Sequence, residues 1–196
     1  MRKIVASAHL SLDGVMQGQG SAEDDPSGGF DLGGWSSPFS DEDGLAALIG
    51  LLGSPGTPND LLIGRKTYNI FAGYGPNAPT DIPFTRACNK ANKYVLTHGD
   101  QKLDWDNSHK LRGIDELKKV KADEGPDIVL WGSSTLYPPL LEANLIDRFD
   151  LLICPIILGK GKKLFGNASH PVTMKLVSSA TTKSGVIIAS YAGLSP

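Results

Sequence analysis

The stretch Asp60-Leu61-Leu62-Ile63-Gly64-Arg65-Lys66-Thr67-Tyr68 decides how this sequence is read. A short apolar run suits a buried strand, a glycine ends it, and two cations and a hydroxyl follow at the start of a helix. The pattern returns at Val129-Leu130-Trp131-Gly132-Ser133-Ser134-Thr135-Leu136, where a strand again stops at glycine before small hydroxyl-bearing residues. Glycine at such a junction lets the backbone approach a ligand closely. The helix start beyond it offers N–H groups without intrahelical partners and a partial positive charge, which is the basis of a phosphate site. In an open α/β sheet these sites lie at the carboxyl ends of strands. Two of them on one sheet suit a ligand with two phosphate-bearing ends. Taken singly, Gly132–Thr135 also reads as a capped helix start, and Arg65-Lys66 as a solvated pair of charges. The GxGxxG fingerprint is absent, which disfavours an ordinary Rossmann domain.

Outward from these junctions the chain alternates strands and helices. A first strand runs from Ile4 toward Leu12 and turns at Asp13-Gly14. A segment rich in Gly, Ser and Asp, from Gln17 to Ser40, is long for a loop inside a domain, which predicts a functional or mobile element. Asp41-Glu42-Asp43 opens a helix to about Leu52, with Ser40 as its expected cap. Strands follow at 60–63, 93–97 and 127–131, with a helix over 114–123 and another from Gly132 through Leu145. A strand from Arg148 to Ile157 precedes two runs, near Val172–Val177 and Val186–Tyr191, expected to pair antiparallel around a turn at Gly185. Helices between the early strands imply a mainly parallel sheet covered on both faces. The late strands make it mixed. The expectation is one α/β domain over residues 1–196, built as three layers.

The composition narrows the function classes. The 196 residues are 40% apolar and 20% charged, with a formal net charge of −2. This is ordinary for a globular protein and gives no field to gather nucleic acid or a membrane surface. Cys88 and Cys154 stand apart from each other and from histidine at ligand spacing, so no zinc site is expected. Cys154 sits in an apolar run and reads as a buried inert thiol. His9, His109 and His170 show no metal or triad spacing. Low cysteine use and an N-terminus that starts on a strand pattern predict a cytoplasmic protein.

Three segments occur in order: the Gly-Arg-Lys-Thr-Tyr junction, the Gly-Ser-Ser-Thr-Leu-Tyr junction at 132–137, and Pro155-Ile156-Ile157-Leu158-Gly159-Lys160-Gly161-Lys162-Lys163-Leu164-Phe165. With Ser11-Leu12-Asp13-Gly14 and Leu145-Ile146-Asp147, this set resembles the dihydrofolate reductase superfamily. Within it, the set resembles the branch of the reductase domain of the bifunctional riboflavin-biosynthesis deaminase/reductase. The deaminase's His-x-Glu and Pro-Cys-x-x-Cys signatures are not in the sequence. The resemblance implies a dihydrofolate reductase-like fold, NADPH as cofactor, and a small heterocyclic substrate such as 5-amino-6-(5-phosphoribosylamino)uracil. It further implies that Gly64, Arg65, Lys66 and Thr67 hold phosphates, with Arg65 on the 2′-phosphate. By the same resemblance Thr97 and His98 flank the adenine ribose, and Gly132, Ser133, Ser134, Thr135 and Leu136 cradle the pyrophosphate. The family carries a second glycine after Gly132; Ser133 departs from it and puts a side chain where the cofactor would be crowded.

On the substrate side the candidates are Asp13, Trp35, Asp43, Tyr68 and Lys160. Asp13 either contacts substrate or caps its own turn. Trp35 either stacks on a flat ring or anchors its loop. Asp43, with Asp41 and Glu42, either meets a heterocycle or matches the helix dipole, and Tyr68 either lines the site or packs. Lys160, with Lys162 and Lys163, would meet a ribose phosphate or stand as exposed loop lysines. Hydride transfer needs a close acceptor carbon and a proton source, and no residue is singled out as that source. Dihydrofolate reduction and a non-catalytic NADPH-binding module remain as alternatives. A homodimer is expected from the apolar late strands and the family's habit.

Overall fold

The structure is a computed structural model that describes residues 1–54, 57–79, 81–166 and 171–193. Its strands are β1 (Ile4–Leu10), β2 (Gly53–Ser54), β3 (Thr57–Pro58), β4 (Asp60–Gly64), β5 (Lys93–Leu96), β6 (Ser108–Leu111), β7 (Ile128–Leu130), β8 (Arg148–Ile153), β9 (Met174–Thr181) and β10 (Ile187–Gly193). The helices are α1 (Glu42–Leu51), α2 (Arg65–Tyr74), α3 (Pro83–Lys90), α4 (Ile114–Ala122) and α5 (Tyr137–Glu142). Eight strands form one sheet in the order β6-β5-β4-β7-β1-β8-β10-β9, while β2 and β3 pair only with each other. The six strands from β6 to β8 are parallel; β10 runs antiparallel to β8, and β9 antiparallel to β10.

Strand periodicity explains the layers. Successive side chains point to opposite faces, and a strand covered on both faces reads as a continuous apolar run. On β7, Ile128 and Leu130 pack in one layer with Leu117 of α4 and Leu140 of α5. Val129 between them packs on the other side with Tyr68 of α2 and Ala87 of α3. β4 divides the same way, Leu62 on the first face and Leu61 and Ile63 on the second. The three-layer arrangement with a mixed, mainly parallel sheet and an antiparallel C-terminal pair is the one expected. Gly185, at φ +84°, donates its N–H to the Thr182 carbonyl in the β9–β10 turn.

Four local expectations change. Asp41, not Ser40, caps α1, accepting from the Gly44 N–H at 2.8 Å, because it stands one residue before the first helical one. β6 is an additional strand; only its Leu111 is buried, and a polar edge strand leaves little apolar signature. β8 ends at Ile153 rather than Ile157, since Pro155 lacks an N–H to continue the ladder. The long segment after β1 is anchored by its own apolar residues: Val15, Phe30 and Trp35 are buried against Leu152, Cys154 and Val186. Among the described residues no helix is long and apolar enough to cross a membrane.

Candidate functional site

Chain direction places the site. The connection leaving β1 crosses over β7 to reach β4, and the one leaving β7 crosses β1 to reach β8. A cleft opens at the carboxyl ends where connections diverge. Here it is an open cleft, with a cavity volume of about 130 Å³, lined by Ser7–His9 of β1, Lys66, Thr67 and Phe71 of α2, Trp131–Ser134 after β7, Tyr137, and residues 16–19 and 24–25 of the flap after β1.

Its floor is made by the two glycine junctions, which touch. The Gly64 N–H donates to the Gly132 carbonyl at 2.9 Å. A Cβ on Gly64 would lie 2.7 Å from Ser133 Oγ, so only glycine allows this approach. Gly132 has φ +85°, a conformation that side chains disfavour, and its peptide bond to Ser133 is cis. The Ser133 hydroxyl lies 3.2 Å from the Thr67 hydroxyl, so this side chain is tied to the neighbouring junction. Ser134–Leu136 form a 3-10 turn leading directly into α5.

The flap closes one side of this cavity through charge. Asp25 accepts from Lys66 Nζ at 2.5 Å, from Lys162 Nζ at 2.7 Å and from the Ser27 hydroxyl at 2.6 Å. Burial pushes the Asp25 carboxyl up, but the Lys162 and Lys66 ammoniums and the Ser27 hydroxyl outweigh it and hold it well below the usual carboxylate range. Gln17, buried, bonds the Asp25 and Ser27 carbonyls, each at 2.9 Å, and keeps the flap folded over the cavity.

A second cavity of about 350 Å³ lies beside the first, between α1 and the sheet, lined by residues 36, 39–42, 44, 45 and 48, by Leu152 and Cys154, and by Val186. His9 lines both. Burial pushes its pKa down to about 4 from an ordinary 6.5, leaving a neutral imidazole at pH 7. An NMR titration of the His9 ring should find its midpoint near pH 4. In the unfolded chain the ring takes its proton near pH 6.5, so His9 lowers stability as pH falls from about 6.5 to 4, and its effect is constant below that. A midpoint at the ordinary value would mean an open, solvated ring.

The structure brings Lys66, Thr67, Gly132, Ser133 and Ser134 to one cavity, packs Gly64 against Ser133 without lining it, and distributes the other expected residues elsewhere. Arg65 is outside the cavity wall; its guanidinium donates to the Gln101 carbonyl at 2.7 Å and the Lys102 carbonyl at 3.3 Å, beside the loop after β5. Thr97, on that loop, accepts from the Gly99 N–H, and His98 is exposed. Thr135 is exposed and Leu136 is turned into the apolar layer under the sheet.

The substrate-side expectations change more. Asp13 bonds the Ser11 hydroxyl and the Leu158 and Gly159 N–H groups, clamping the first turn to the Pro155–Phe165 segment. Those bonds, the Ser11 hydroxyl foremost, bring its carboxyl down to about 2. Trp35 is buried, its indole N–H donating to the Gln17 carbonyl at 2.8 Å, so it anchors the flap. Tyr68 is core, its hydroxyl accepting from the Trp105 N–H at 2.9 Å. Asp43 is exposed in the first turn of α1 and lines neither cavity; Glu42 lines the second. Lys160 pairs with Asp31 at 2.5 Å, away from both cavities. His109 lies at the edge strand against Asn92, and His170 is outside the described residues. Among the described residues no cluster of three metal-ligating side chains exists. His9, Gln17 and Asp25 carried no motif; their proximity to the glycine junctions depends on how β1 and its flap fold over β7.

Comparison with known proteins agrees with this architecture. The uncharacterized protein YyaP of Bacillus subtilis is 27% identical over 197 residues, spanning 95% of this chain and 92% of YyaP. A pyrimidine reductase-like protein from Corynebacterium diphtheriae superposes with a TM-score of 0.66 at 17% identity, covering 100% of this chain and 93% of that one. Dihydrofolate reductase from Enterococcus faecalis, solved with NADP(H), superposes with a TM-score of 0.61 at 16% identity, covering 98% and 97%. At these identities the two structures establish the fold, which is dihydrofolate reductase-like. The sequence profile of the RibD C-terminal domain matches residues 61–188, a span that holds both glycine junctions and most of the sheet. The chain belongs to the RibD C-terminal domain family.

Proposed function

We propose that this protein is an NADPH-dependent reductase acting on a small heterocycle, in chemistry most like the aminouracil reductase step of riboflavin biosynthesis. The observation that carries the reading is the meeting of two cavities at His9, the first of them floored by both glycine junctions. The residues fit the phosphates of a dinucleotide: the Lys66 ammonium, the Thr67 and Ser133 hydroxyls and the Gly132 backbone line one cavity at the carboxyl ends of β4 and β7. Lys66, Thr67, Ser133 and Ser134 would hold the phosphates, and Ser7–His9 would border the nicotinamide end. Bound NADPH supplies the hydride. The protein's own share is to keep water out with the Gln17-pinned flap and to hold two ligands against one neutral imidazole.

Trp131 lines the first cavity and is fixed edge-to-face by Phe84, with ring centroids 5.5 Å apart. Trp35 and Trp105 are buried away from it. NADPH should therefore quench tryptophan fluorescence at micromolar concentration, and Trp131→Phe should remove most of the quench. Lys66→Ala should weaken binding about tenfold, the loss of one charge-assisted contact. Absence of binding at millimolar NADPH would overturn the assignment. Tight binding with no oxidation against a heterocycle panel would favour a binding module.

A further inference from the structure

We propose that the second cavity is the acceptor's and takes a flat heterocycle carrying no phosphate, which sets this chain's substrate apart from the ribosyl phosphate its sequence resemblance implies. The inference rests on the reductase reading for the role of acceptor.

One wall is the α1 face bearing Leu45 and Leu48; the opposite wall is Leu152, Cys154 and Val186 of the sheet side. Leu45 is 53% exposed although apolar, which the cavity explains: the side chain stands at its mouth rather than in the core. Two apolar walls make a slot suited to a ring. The polar groups inside are neutral. His9 is uncharged at pH 7, and the buried Cys154 thiol is pushed up to about 11. Ser40 adds a hydroxyl that donates or accepts, and Ser36, whose proton goes to the Gln19 carbonyl, one that accepts. These groups can bond ring nitrogens and carbonyls without requiring charge.

The charges present at the mouth are carboxylates. Asp41 is ionised, its pKa held low by the Gly44 and Ser184 N–H groups it accepts from, and Glu42 stands beside it. No Lys or Arg lines the cavity among the described residues. Of the three lysines expected to meet a ribose phosphate, Lys160 pairs with Asp31, Lys162 bonds Asp25 and Ser27, and Lys163 does not line this cavity. A phosphate entering this slot would meet like charge and no Lys or Arg on the cavity's walls.

Calorimetry on the full chain, with and without saturating NADP⁺, tests this using 5,6-diaminouracil and 5-amino-6-(5-phosphoribosylamino)uracil. NADP⁺ carries no hydride, so binding alone is read. The diaminouracil should bind, and the phosphoribosyl compound should bind at least tenfold more weakly, with the gap narrowing as salt rises. Leu45→Lys places a cation at the mouth on an exposed position and should recover about tenfold for the phosphoribosyl compound alone. Equal or tighter binding of the phosphoribosyl compound by the unaltered protein, an unchanged gap in Leu45→Lys, or binding of neither compound overturns the proposal. Failure of NADP⁺ to bind strikes the reductase reading instead, while the arm without NADP⁺ still judges the second cavity.

Discussion

Gly64→Ala should lower NADPH affinity by more than tenfold and destabilise the fold by about 1–3 kcal/mol, the usual cost of forcing a methyl into a filled space. The new Cβ would stand 2.7 Å from Ser133 Oγ, 3.2 Å from Ser133 Cβ and 3.2 Å from the Ser133 nitrogen. Ser133 has no free direction to retreat, because its hydroxyl meets Thr67 and the preceding Gly132 carbonyl bonds the Gly64 N–H. The strain therefore moves the backbone of the second junction, and with it the floor of the first cavity. A double-mutant cycle sharpens the point. Gly64→Ala with Ser133→Gly removes the two side-chain clashes and leaves only the contact to nitrogen, so most of the affinity should return, with a coupling of about 1–3 kcal/mol. Fluorescence titration with NADPH reads the affinity and thermal melting reads the stability. Unchanged NADPH affinity in Gly64→Ala would remove this junction from the cofactor site.

This variant also marks how far the sequence could be read. Each glycine junction was legible from a strand ending in glycine before small or basic residues, and their order along the chain located the fold. That they touch was not legible, because it depends on β7 sitting beside β4 in the sheet, 68 positions separating Gly64 from Gly132. Ser133 looked like an obstruction from sequence; in space it fills the gap that Gly64 leaves. For the aromatic and acidic candidates the structure takes the second of the two readings the sequence leaves open, and for a common reason. Trp35, Tyr68 and Asp13 are long or polar residues next to a site in sequence, yet each spends its polar atom on the backbone of a loop and holds that loop in place. Residue type reveals the hydrogen bond a side chain needs, not the partner it finds. His9 shows the converse: a lone histidine in a strand has no pattern, and its importance arises only from the cavities on either side of it.

The largest loss of stability is expected at the opposite end of the sheet. Asp60→Ala should cost about 3–5 kcal/mol, the penalty for leaving a buried charge without its partner. Arg2 and Asp60 form an ion pair whose side chains are only 3% and 4% exposed. Arg2 also donates to the Pro126 carbonyl at 2.6 Å and to the Tyr94 hydroxyl at 3.2 Å, while Asp60 accepts two bonds from Asn92. The pair thus ties the starts of β1, β4, β5 and β7 together at the amino edge of the sheet. Removing the carboxylate strands the guanidinium; removing both charges does not, so Arg2→Met with Asp60→Leu should recover most of the loss. For a chain of this size each kcal/mol is about 2–4 °C in Tm, which puts the single variant about 10 °C below the parent. NADPH affinity measured well below that temperature should change by less than about twofold, since the cavities open at the other ends of the same strands and distant sites act nearly independently. The two variants then separate two roles of one sheet, a cofactor floor at its carboxyl edge and an ionic tie at its amino edge. A Tm loss of only a degree or two in Asp60→Ala would mean that water reaches Arg2 and that the tie is no stronger than a surface pair.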